Sequence, residues 1–194
     1  GVRHSLVDPY SYVSSNVMAH VVLLEAARRL PRLEHIVYAS SSSVYGLNRN
    51  LPFRETDAVD SPGSLYAVTK RCGELTAHAY AHLYGLRQTG LRFFTAYGPW
   101  GRPDMAYYKF AEAITAGRPL TLYAGDRLAR DFTYIDDIVS GVLAALADVP
   151  EVGTARILNL GSDSPAPVRR LVGLLEDSMC WSSAVKAAVA PRPA

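Results

Sequence analysis

A chain of 194 residues can bury one ordinary hydrophobic core, or parts of two domains. Its composition is that of a globular protein, with 49% hydrophobic and 20% charged residues. The net charge of +2 without a basic run argues against a nucleic-acid or membrane-surface partner. Cys72 and Cys180 form neither a metal-ligand nor a disulfide pattern, which suggests a reducing compartment, by default the cytosol.

The first 34 residues predict one helix and no strand. Asp8-Pro9 is typical of a turn, and Ser14-Ser15-Asn16 lies near the predicted start of a helix that runs to about Arg29. Ser15, near this start, is a candidate helix-capping residue. Neither Gly-x-Gly-x-x-Gly nor Gly-x-x-Gly-x-x-Gly occurs anywhere in the chain.

The next stretch combines a strand, a serine cluster, a loop and a helix. A buried strand is predicted at His35–Tyr38, followed by the serine cluster within Ala39–Gly46 and a polar loop. In the helix after Ser64, an apolar stripe and a Tyr-x-x-x-Lys pair are expected on roughly opposite sides, with Tyr66 and Lys70 free to line a cleft. This stripe is the face expected to pack on the core, and it is formed by Val68, Cys72, Leu75, Ala79 and Leu83.

A tyrosine and a lysine one helical turn apart can remove a proton from an alcohol. A free tyrosine is a poor base at neutral pH because its pKa is about 10. An ammonium about 6 Å away, at an effective dielectric near 20, stabilises a phenolate by about 3 kcal/mol, or about two pKa units. A second positive charge, such as an oxidised nicotinamide ring, can supply the rest, and a strand-end serine can bind the same substrate oxygen.

Further helices and strands follow in alternation. The pattern predicts an apolar strand at Thr89–Phe94, a Gly/Pro-rich loop over Thr95–Met105 and a helix over Met105–Ala116. The later predictions are a short strand at Leu120–Tyr123, a helix from Asp136 or Asp137, a strand at Ile157–Gly161 and a helix at about Val168–Leu175. His78 and His82 lack a third ligand, so a surface or dimer-face pair is expected rather than a metal site.

The order of strand, serine cluster, loop and Tyr-x-x-x-Lys helix resembles the extended short-chain dehydrogenase/reductase family of NAD-dependent nucleotide-sugar epimerases and dehydratases. The resemblance covers Gly1 to about Asp177, and Tyr38–Asn48 and Leu91–Met105 are most similar to its UDP-glucuronate 4-epimerase branch. The resemblance implies an α/β fold. Residues 1–96 and about 129–158 would form part of a Rossmann-like, doubly wound parallel sheet that binds NAD. Residues about 97–128 and 159–194 would form part of a smaller sugar-nucleotide lobe.

The resemblance also implies a set of site residues. Asn16 would brace the active-site helix, and the helices starting near Ser14 and Ser64 would pair two subunits as a homodimer. The implied catalytic residues are Tyr66, Lys70 and Ser41; the NAD contacts are Ser15, Tyr66, Lys70 and Phe94; the UDP-sugar contacts are Ser41, Ser43, Thr95, Arg102 and Arg130.

Two features favour epimerisation of a uronic acid. The family's dehydratases carry an Asp-Glu pair after the catalytic serine, because eliminating water needs an acid and a base, whereas this chain has Ser42 and Ser43. The arginine that matches Arg102 holds the C6 carboxylate in the resembled uronate epimerases. A guanidinium can bind a carboxylate through two parallel hydrogen bonds. Without the resemblance, a solvated loop arginine is the favoured interpretation of Arg102.

The expected function is NAD-dependent C4 epimerisation of UDP-glucuronate to UDP-galacturonate through a 4-keto intermediate. One alternative is a UDP-glucose/galactose 4-epimerase or another NAD-dependent nucleotide-sugar enzyme. Another is an inactive truncated remnant or pairing module, because the family's glycine-rich turn is not found and the resemblance ends near Ser178. The chain as given is therefore interpreted as a fragment that binds NAD weakly or not at all.

Overall fold

The computed structural model describes residues 2–120, 122 and 128–179. The chain divides into two compact units, the first comprising Gly1–Phe94 and Asp136–Leu160 and the second Thr95–Ile135 and Gly161–Ala194. In chain order the helices are α1 (Pro9–Tyr12), α2 (Ala19–Ala27), α3 (Leu65–Tyr84), α4 (Ala106–Thr115), α5 (Ile135–Ala147) and α6 (Val168–Ser178). The strands are β1 (Ile36–Ser41), β2 (Gln88–Phe93), β3 (Thr95–Tyr97), β4 (Ala129–Tyr134), β5 (Ala155–Leu160) and β6 (Pro165–Pro167).

The first unit contains a parallel sheet with the strand order β1-β2-β5. Helix α3 lies between β1 and β2 in the chain, and α5 precedes β5, as parallel neighbours require crossover connections. The last residues of the three strands, Ser41, Phe93 and Leu160, are in register. The predicted parallel-sheet α/β fold is thus confirmed, and the strands share one carboxyl edge.

The first helical segment begins earlier than predicted. Asp8 caps α1 by accepting a hydrogen bond from the Ser11 amide at 3.2 Å, and Pro9 occupies the first helical position. A π-helical stretch, Val13–Met18, joins α1 to α2. The expected start near Ser14 was therefore wrong, because Asp8-Pro9 is a helix start rather than a turn. The cap interpretation of Ser15 is wrong for the same reason.

Helix α3 is buried through its small residues. Ala67, Ala77 and Ala81 are each at most 1% exposed, and the helix packs against all three strands and against α2. Leu75 and Leu83 of the predicted stripe are instead 53% and 65% exposed. The prediction that this stripe faces the core was wrong, since small side chains allow close packing of the inner face. The larger apolar residues therefore form the outer face.

Gly90 in the middle strand allows the close packing of Tyr38. A Cβ atom at Gly90 would lie 2.6 Å from Tyr38 Cζ and 2.8 Å from Ile157 Cδ1. The Tyr38 ring also packs against His20, with centroids 5.1 Å apart, so it has no simple way to withdraw.

Gly90→Ala is therefore expected to destabilise the first unit by about 1–3 kcal/mol through overpacking. Urea unfolding followed by circular dichroism measures the change. Gly73→Ala is the matched control, because its Cβ would meet the nearest atom, in the His20 ring, at an ordinary 3.8 Å. Equal unfolding midpoints for Gly90→Ala and wild type would contradict the expected clash.

The second unit contains a small mixed sheet in the order β3-β4-β6, with β3 parallel and β6 antiparallel to β4. Its buried cluster consists of Ile114, Leu120, Leu122, Val168 and Val172. Two expectations change here. Thr95–Tyr97 is a strand rather than the start of a loop, and residues 129–135 group with the second unit because β4 pairs with β3 and β6.

Some predictions concern residues that the structure does not describe. The predicted strand at Leu120–Tyr123 lies partly outside the described residues, and Cys180 and the tail beyond it lie wholly outside them. The helices predicted near residues 105–116, 136 and 168–175 are confirmed as α4, α5 and α6. Within the described ranges, no helix combines the length and apolar character needed to cross a bilayer.

Candidate active site

Two serines position the first turn of α3, which carries Tyr66. The Ser64 hydroxyl accepts a hydrogen bond from the Ala67 amide at 3.2 Å, and the Ser5 hydroxyl accepts one from the Tyr66 amide at 3.3 Å. These bonds satisfy amides that a helix start leaves without partners. The Tyr66 ring packs edge-on against Tyr12, with centroids 5.9 Å apart and an interplanar angle of 89°. Both the backbone and the ring of Tyr66 are therefore held in place.

The Lys70 ammonium lies between Tyr66 and strand β1. Its Nζ atom donates a hydrogen bond to the Ala39 carbonyl at 3.0 Å and lies 6.0 Å from the centroid of the Tyr66 ring. Burial lowers the pKa of Lys70. An ammonium has three N–H donors, so two remain for a ligand after the bond to Ala39. The predicted pair thus faces the sheet, and the apolar stripe faces away from it.

The Tyr66 hydroxyl makes no hydrogen bond within the part of the chain that the structure describes, and the side chain is half-buried. A phenol in this state can exchange a proton with a bound alcohol, because it need not first break a bond within the protein. Its availability fits the role that the sequence predicted for it.

Asn16 braces this helix, as the resemblance implies. Its Nδ2 atom donates to Thr69 Oγ1 at 3.0 Å, and that hydroxyl donates to the Tyr66 carbonyl at 2.9 Å. Asn16 and the exposed Ser15 both lie in the π-helical stretch Val13–Met18. Single π turns inside α-helices occur frequently at functional sites. This stretch therefore links the α1–α2 segment to the turn that carries Tyr66.

The serine cluster continues β1 into a tight turn. Ser41 is the last residue of β1, is 8% exposed, and its Oγ accepts a hydrogen bond from the Ser43 amide at 3.2 Å. Among the described residues the Ser41 hydroxyl has no hydrogen-bond acceptor, so its proton can be donated to a substrate oxygen. Phe94, directly after β2, packs against a buried cluster that includes Val44 and Tyr45. Ser41, Ser43 and Phe94 therefore lie at or just beyond the strand ends, where open α/β sheets bind ligands.

Three predicted substrate residues belong to the second unit. Thr95 begins β3 and pairs with Phe132, and Arg130 lies in β4, where its Nη1 atom donates to the Ala129 carbonyl at 2.9 Å. The Arg102 guanidinium is 59% exposed and pairs through Nε with Asp104 Oδ1 at 3.2 Å.

The loop that carries Arg102 packs closely on its own unit. A Cβ atom at Gly98 would lie 2.6 Å from Ile135 Cγ2, and one at Gly101 would overlap the Tyr107 hydroxyl. The two glycines therefore allow the loop backbone to approach Ile135 and Tyr107 more closely than a residue with a Cβ atom would.

Several residues that support the site were not predicted from the sequence. Ser5 and Tyr12 contact Tyr66, and a buried ion pair joins Glu74 to Arg92. A signal for Glu74 was present in the sequence, because it follows Lys70 by four residues and so shares a helix face with it. No comparable signal indicated Ser5, since its bond to Tyr66 spans 61 residues. Among the described residues, no group of three His, Cys, Asp or Glu side chains could hold a metal ion.

Comparisons with known proteins show which family the chain belongs to. The curated relatives include UDP-glucuronate 4-epimerase 5 of Arabidopsis thaliana, 50% identical over 99% of this chain and 47% of its own length. UDP-glucuronate 4-epimerase 1 of the same plant is 53% identical over 91% of this chain and 44% of its own length. The chain thus spans about half the length of these relatives.

A solved structure extends the similarity to the fold. UDP-glucuronic acid 4-epimerase from Bacillus cereus, in complex with UDP-glucuronic acid and NAD, matches with a TM-score of 0.85 and 33% identity. That match covers 98% of this chain and 60% of the other. The family model described as the NAD dependent epimerase/dehydratase family matches residues 1–161, which is most of the chain. The chain therefore belongs to the NAD dependent epimerase/dehydratase family.

Proposed function

We propose that the intact protein inverts C4 of a UDP-uronic acid and interconverts UDP-glucuronate and UDP-galacturonate. The observation that supports this most is the Lys70 ammonium, 6.0 Å from the centroid of the Tyr66 ring and bound to the strand that ends in Ser41. The relatives at 50% and 53% identity are named UDP-glucuronate 4-epimerases. The relevant structural match holds UDP-glucuronic acid and NAD.

The residues of the first unit fit an NAD molecule. Lys70 has two N–H donors left for ribose hydroxyls, the Tyr66 hydroxyl is unoccupied among the described residues, and Ser15 is exposed. Phe94 offers an apolar surface just beyond β2. Tyr66, Lys70, Ser15 and Phe94 are the residues that would hold the cofactor. When bound, NAD supplies the hydride acceptor and donor for C4.

Tyr66, assisted by Ser41 and Lys70, carries out the proton chemistry. As a phenolate, Tyr66 takes the proton of the 4-hydroxyl group while the C4–H bond is lost as hydride. Ser41 donates a hydrogen bond to the same oxygen, and the Lys70 ammonium stabilises the phenolate. The 4-keto sugar then turns, and Tyr66 returns the proton to the oxygen as hydride adds to the opposite face. Protons and electrons balance over the cycle.

Arg102 would select the uronate. Its guanidinium can form two charge-assisted hydrogen bonds with the C6 carboxylate, each worth about 1.5–3 kcal/mol, whereas a hydroxymethyl group has no comparable acceptor pair. Ser43, Thr95 and Arg130 are the other proposed contacts to the UDP-sugar. These assignments follow from the resemblance together with the exposed position of Arg102.

The direct test assays the intact protein with NAD and either UDP-glucuronate or UDP-glucose, following the products by chromatography. We expect conversion to UDP-galacturonate, with kcat/KM about 100-fold higher than for UDP-glucose, because the carboxylate contact is worth about 3 kcal/mol. A preference for UDP-glucose would indicate a neutral-sugar epimerase and remove Arg102 from this role. Turnover of neither sugar would contradict the proposed function.

We further propose that two copies pair through α2 and α3. These helices pack side by side, with the Tyr80 hydroxyl donating to Glu25 Oε1 at 2.8 Å. Both helices present large apolar residues to solvent. On the α2 side these are Met18 and Val22, and on α3 they are Val68, Leu75 and Leu83. A two-helix apolar face that meets its symmetric copy forms a four-helix contact, which is a common geometry for a homodimer.

Leu75→Glu is expected to convert the dimer to monomer, because it places a charge in the centre of the proposed apolar contact. Analytical ultracentrifugation at micromolar protein concentration measures the change. Leu143→Glu is the matched control, since Leu143 on α5 is 60% exposed, close to the 53% of Leu75. A wild-type monomer, or a Leu75→Glu dimer, would contradict pairing through this face.

A further inference from the structure

A buried ion pair joins α3, the helix that carries Tyr66 and Lys70, to strand β2. Arg92 on β2 donates from Nε to Glu74 Oε1 at 2.8 Å and from Nη2 to Glu74 Oε2 at 2.9 Å. The side chains of Arg92 and Glu74 are only 2% and 1% exposed. Such a two-point contact fixes the relative orientation of both groups as well as their distance.

Glu74 also binds strand β1, through Ser40. Glu74 lies one turn after Lys70 and two turns after Tyr66, so all three share one helix face. The Ser40 hydroxyl donates to Glu74 Oε1 at 2.6 Å, and the neighbouring Ala39 carbonyl accepts from Lys70. The helix that carries Tyr66 is therefore bound to both residues that directly precede Ser41.

Arg92 of this ion pair belongs to a row of residues that crosses the sheet. Ser40, Arg92 and Asn159 lie opposite one another on β1, β2 and β5, one residue before the strand ends. Tyr45 contacts two members of this row, because its ring lies 4.8 Å from the Arg92 guanidinium carbon and its hydroxyl donates to Asn159 Oδ1 at 2.7 Å. Tyr45 ends the turn that begins after Ser41, so the row also holds the serine cluster.

The charges of this pair are fully compensated. Each Glu74 oxygen accepts two hydrogen bonds, from Arg92 and Ser40 on one side and from Arg92 and Arg71 on the other. Burial raises the pKa of Glu74, but the bonds from Arg92 and Ser40 outweigh it and leave the pKa below its ordinary value. Replacing a buried ion pair with apolar residues of similar volume often leaves a protein equally stable. Stability alone is therefore a weak reason for this arrangement.

We propose that Glu74 and Arg92 are positioning residues for catalysis, which hold Ser41 in register with Tyr66 and Lys70 through Ser40. The expected fall in kcat on disrupting these residues rests on the proposed function. The structural consequence of the proposal, the register between α3 and β1, is independent of any reaction.

The test uses Ser40→Ala and Glu74→Gln in the intact protein. We expect kcat per folded molecule to fall about tenfold for Ser40→Ala and about 10–100-fold for Glu74→Gln, because small misplacements of reacting groups cost this much. KM for UDP-glucuronate should stay within about twofold, since the proposed substrate contacts other than Ser41 are unchanged. Ser40→Ala leaves the Glu74–Arg92 pair intact and decides the question if Glu74→Gln does not fold.

A second readout does not require activity. Lys70 donates to Ala39, so a loss of register should expose its ammonium and raise its rate of reductive methylation several-fold, measured by mass spectrometry. Lys109, exposed on α4 in the second unit, is the reference within the same molecule. Thr76→Ala is the matched control variant, because it also removes a hydroxyl from α3, where Thr76 Oγ1 donates to the Cys72 carbonyl.

The outcomes separate the two proposals. Unchanged Lys70 labelling together with unchanged kcat per folded molecule in Ser40→Ala would overturn the positioning role. Wild-type protein that turns over no UDP-sugar would contradict the proposed function, while the labelling experiment would still decide the register. A fall in activity that only tracks the unfolded fraction, with Lys70 labelling of the folded protein unchanged, would show a purely structural ion pair and overturn the proposal.

Discussion

Tyr66→Phe is expected to lower kcat for epimerisation by about 10²–10⁴-fold while leaving UDP-glucuronate binding nearly unchanged. The substitution removes one oxygen atom, and that oxygen is the proposed proton acceptor. The ring contact with Tyr12, at 5.9 Å between centroids, does not depend on the hydroxyl. The Lys70 bond to Ala39 does not depend on it either. The variant should therefore fold and bind as the wild type does.

Tyr80→Phe is the matched control for this experiment, because it makes the same chemical change on the same helix. The Tyr80 hydroxyl donates to Glu25, away from Lys70 and the end of β1. We expect Tyr80→Phe to retain wild-type kcat. Steady-state kinetics, with substrate binding measured by calorimetry, distinguish the two variants. Turnover of Tyr66→Phe within tenfold of wild type would mean that another group moves the proton.

The second large effect concerns substrate selectivity at Arg102. Arg102→Leu is expected to lower kcat/KM for UDP-glucuronate about 100-fold, because two charge-assisted hydrogen bonds to the carboxylate are lost. Turnover of UDP-glucose should change by less than about threefold, since a neutral hydroxymethyl group makes no such pair. Arg102 already binds the Asp104 carboxylate at 3.2 Å, so the substrate carboxylate would compete with a neighbouring side chain for it.

Two further variants sharpen this test. Arg102→Lys keeps the charge but loses the planar two-point contact, so we expect an intermediate loss for UDP-glucuronate. Arg118→Leu is the matched control, because Arg118 is 58% exposed and pairs with Glu112, much as Arg102 is 59% exposed and pairs with Asp104. Equal losses for both sugars in Arg102→Leu would contradict a role in carboxylate recognition.

Much of the local structure was predictable from short-range patterns. The strand before the serine cluster, the helix that carries Tyr66 and Lys70, and the later helices follow from hydrophobic periodicity and from residues that begin or end helices. The one-face placement of Tyr66 and Lys70 follows from the helical repeat alone. The family resemblance added the roles of residues such as Asn16, whose brace on Thr69 the structure confirms.

Two errors have a common physical cause. The large apolar residues of α3 were expected in the core, but the helix packs through Ala67, Ala77 and Ala81, because small side chains allow a helix to approach a sheet closely. Residues 129–135 were expected with the parallel sheet, but β4 pairs with β3 and β6. In both cases the sequence pattern describes one element, whereas the choice of partner depends on shape complementarity between elements.

The sequence by itself determined the Tyr66–Lys70 pair, its helix and the chain order of the parallel-sheet elements, since these depend on residues close together in the chain. The tertiary structure alone decided which face of α3 is outward and which groups hold Tyr66 and Ser41 in place. The Ser40–Glu74 and Arg92–Glu74 contacts join residues 34 and 18 positions apart. No local pattern predicts such contacts, because they form only when strands and helix pack together and exclude water from the charges between them.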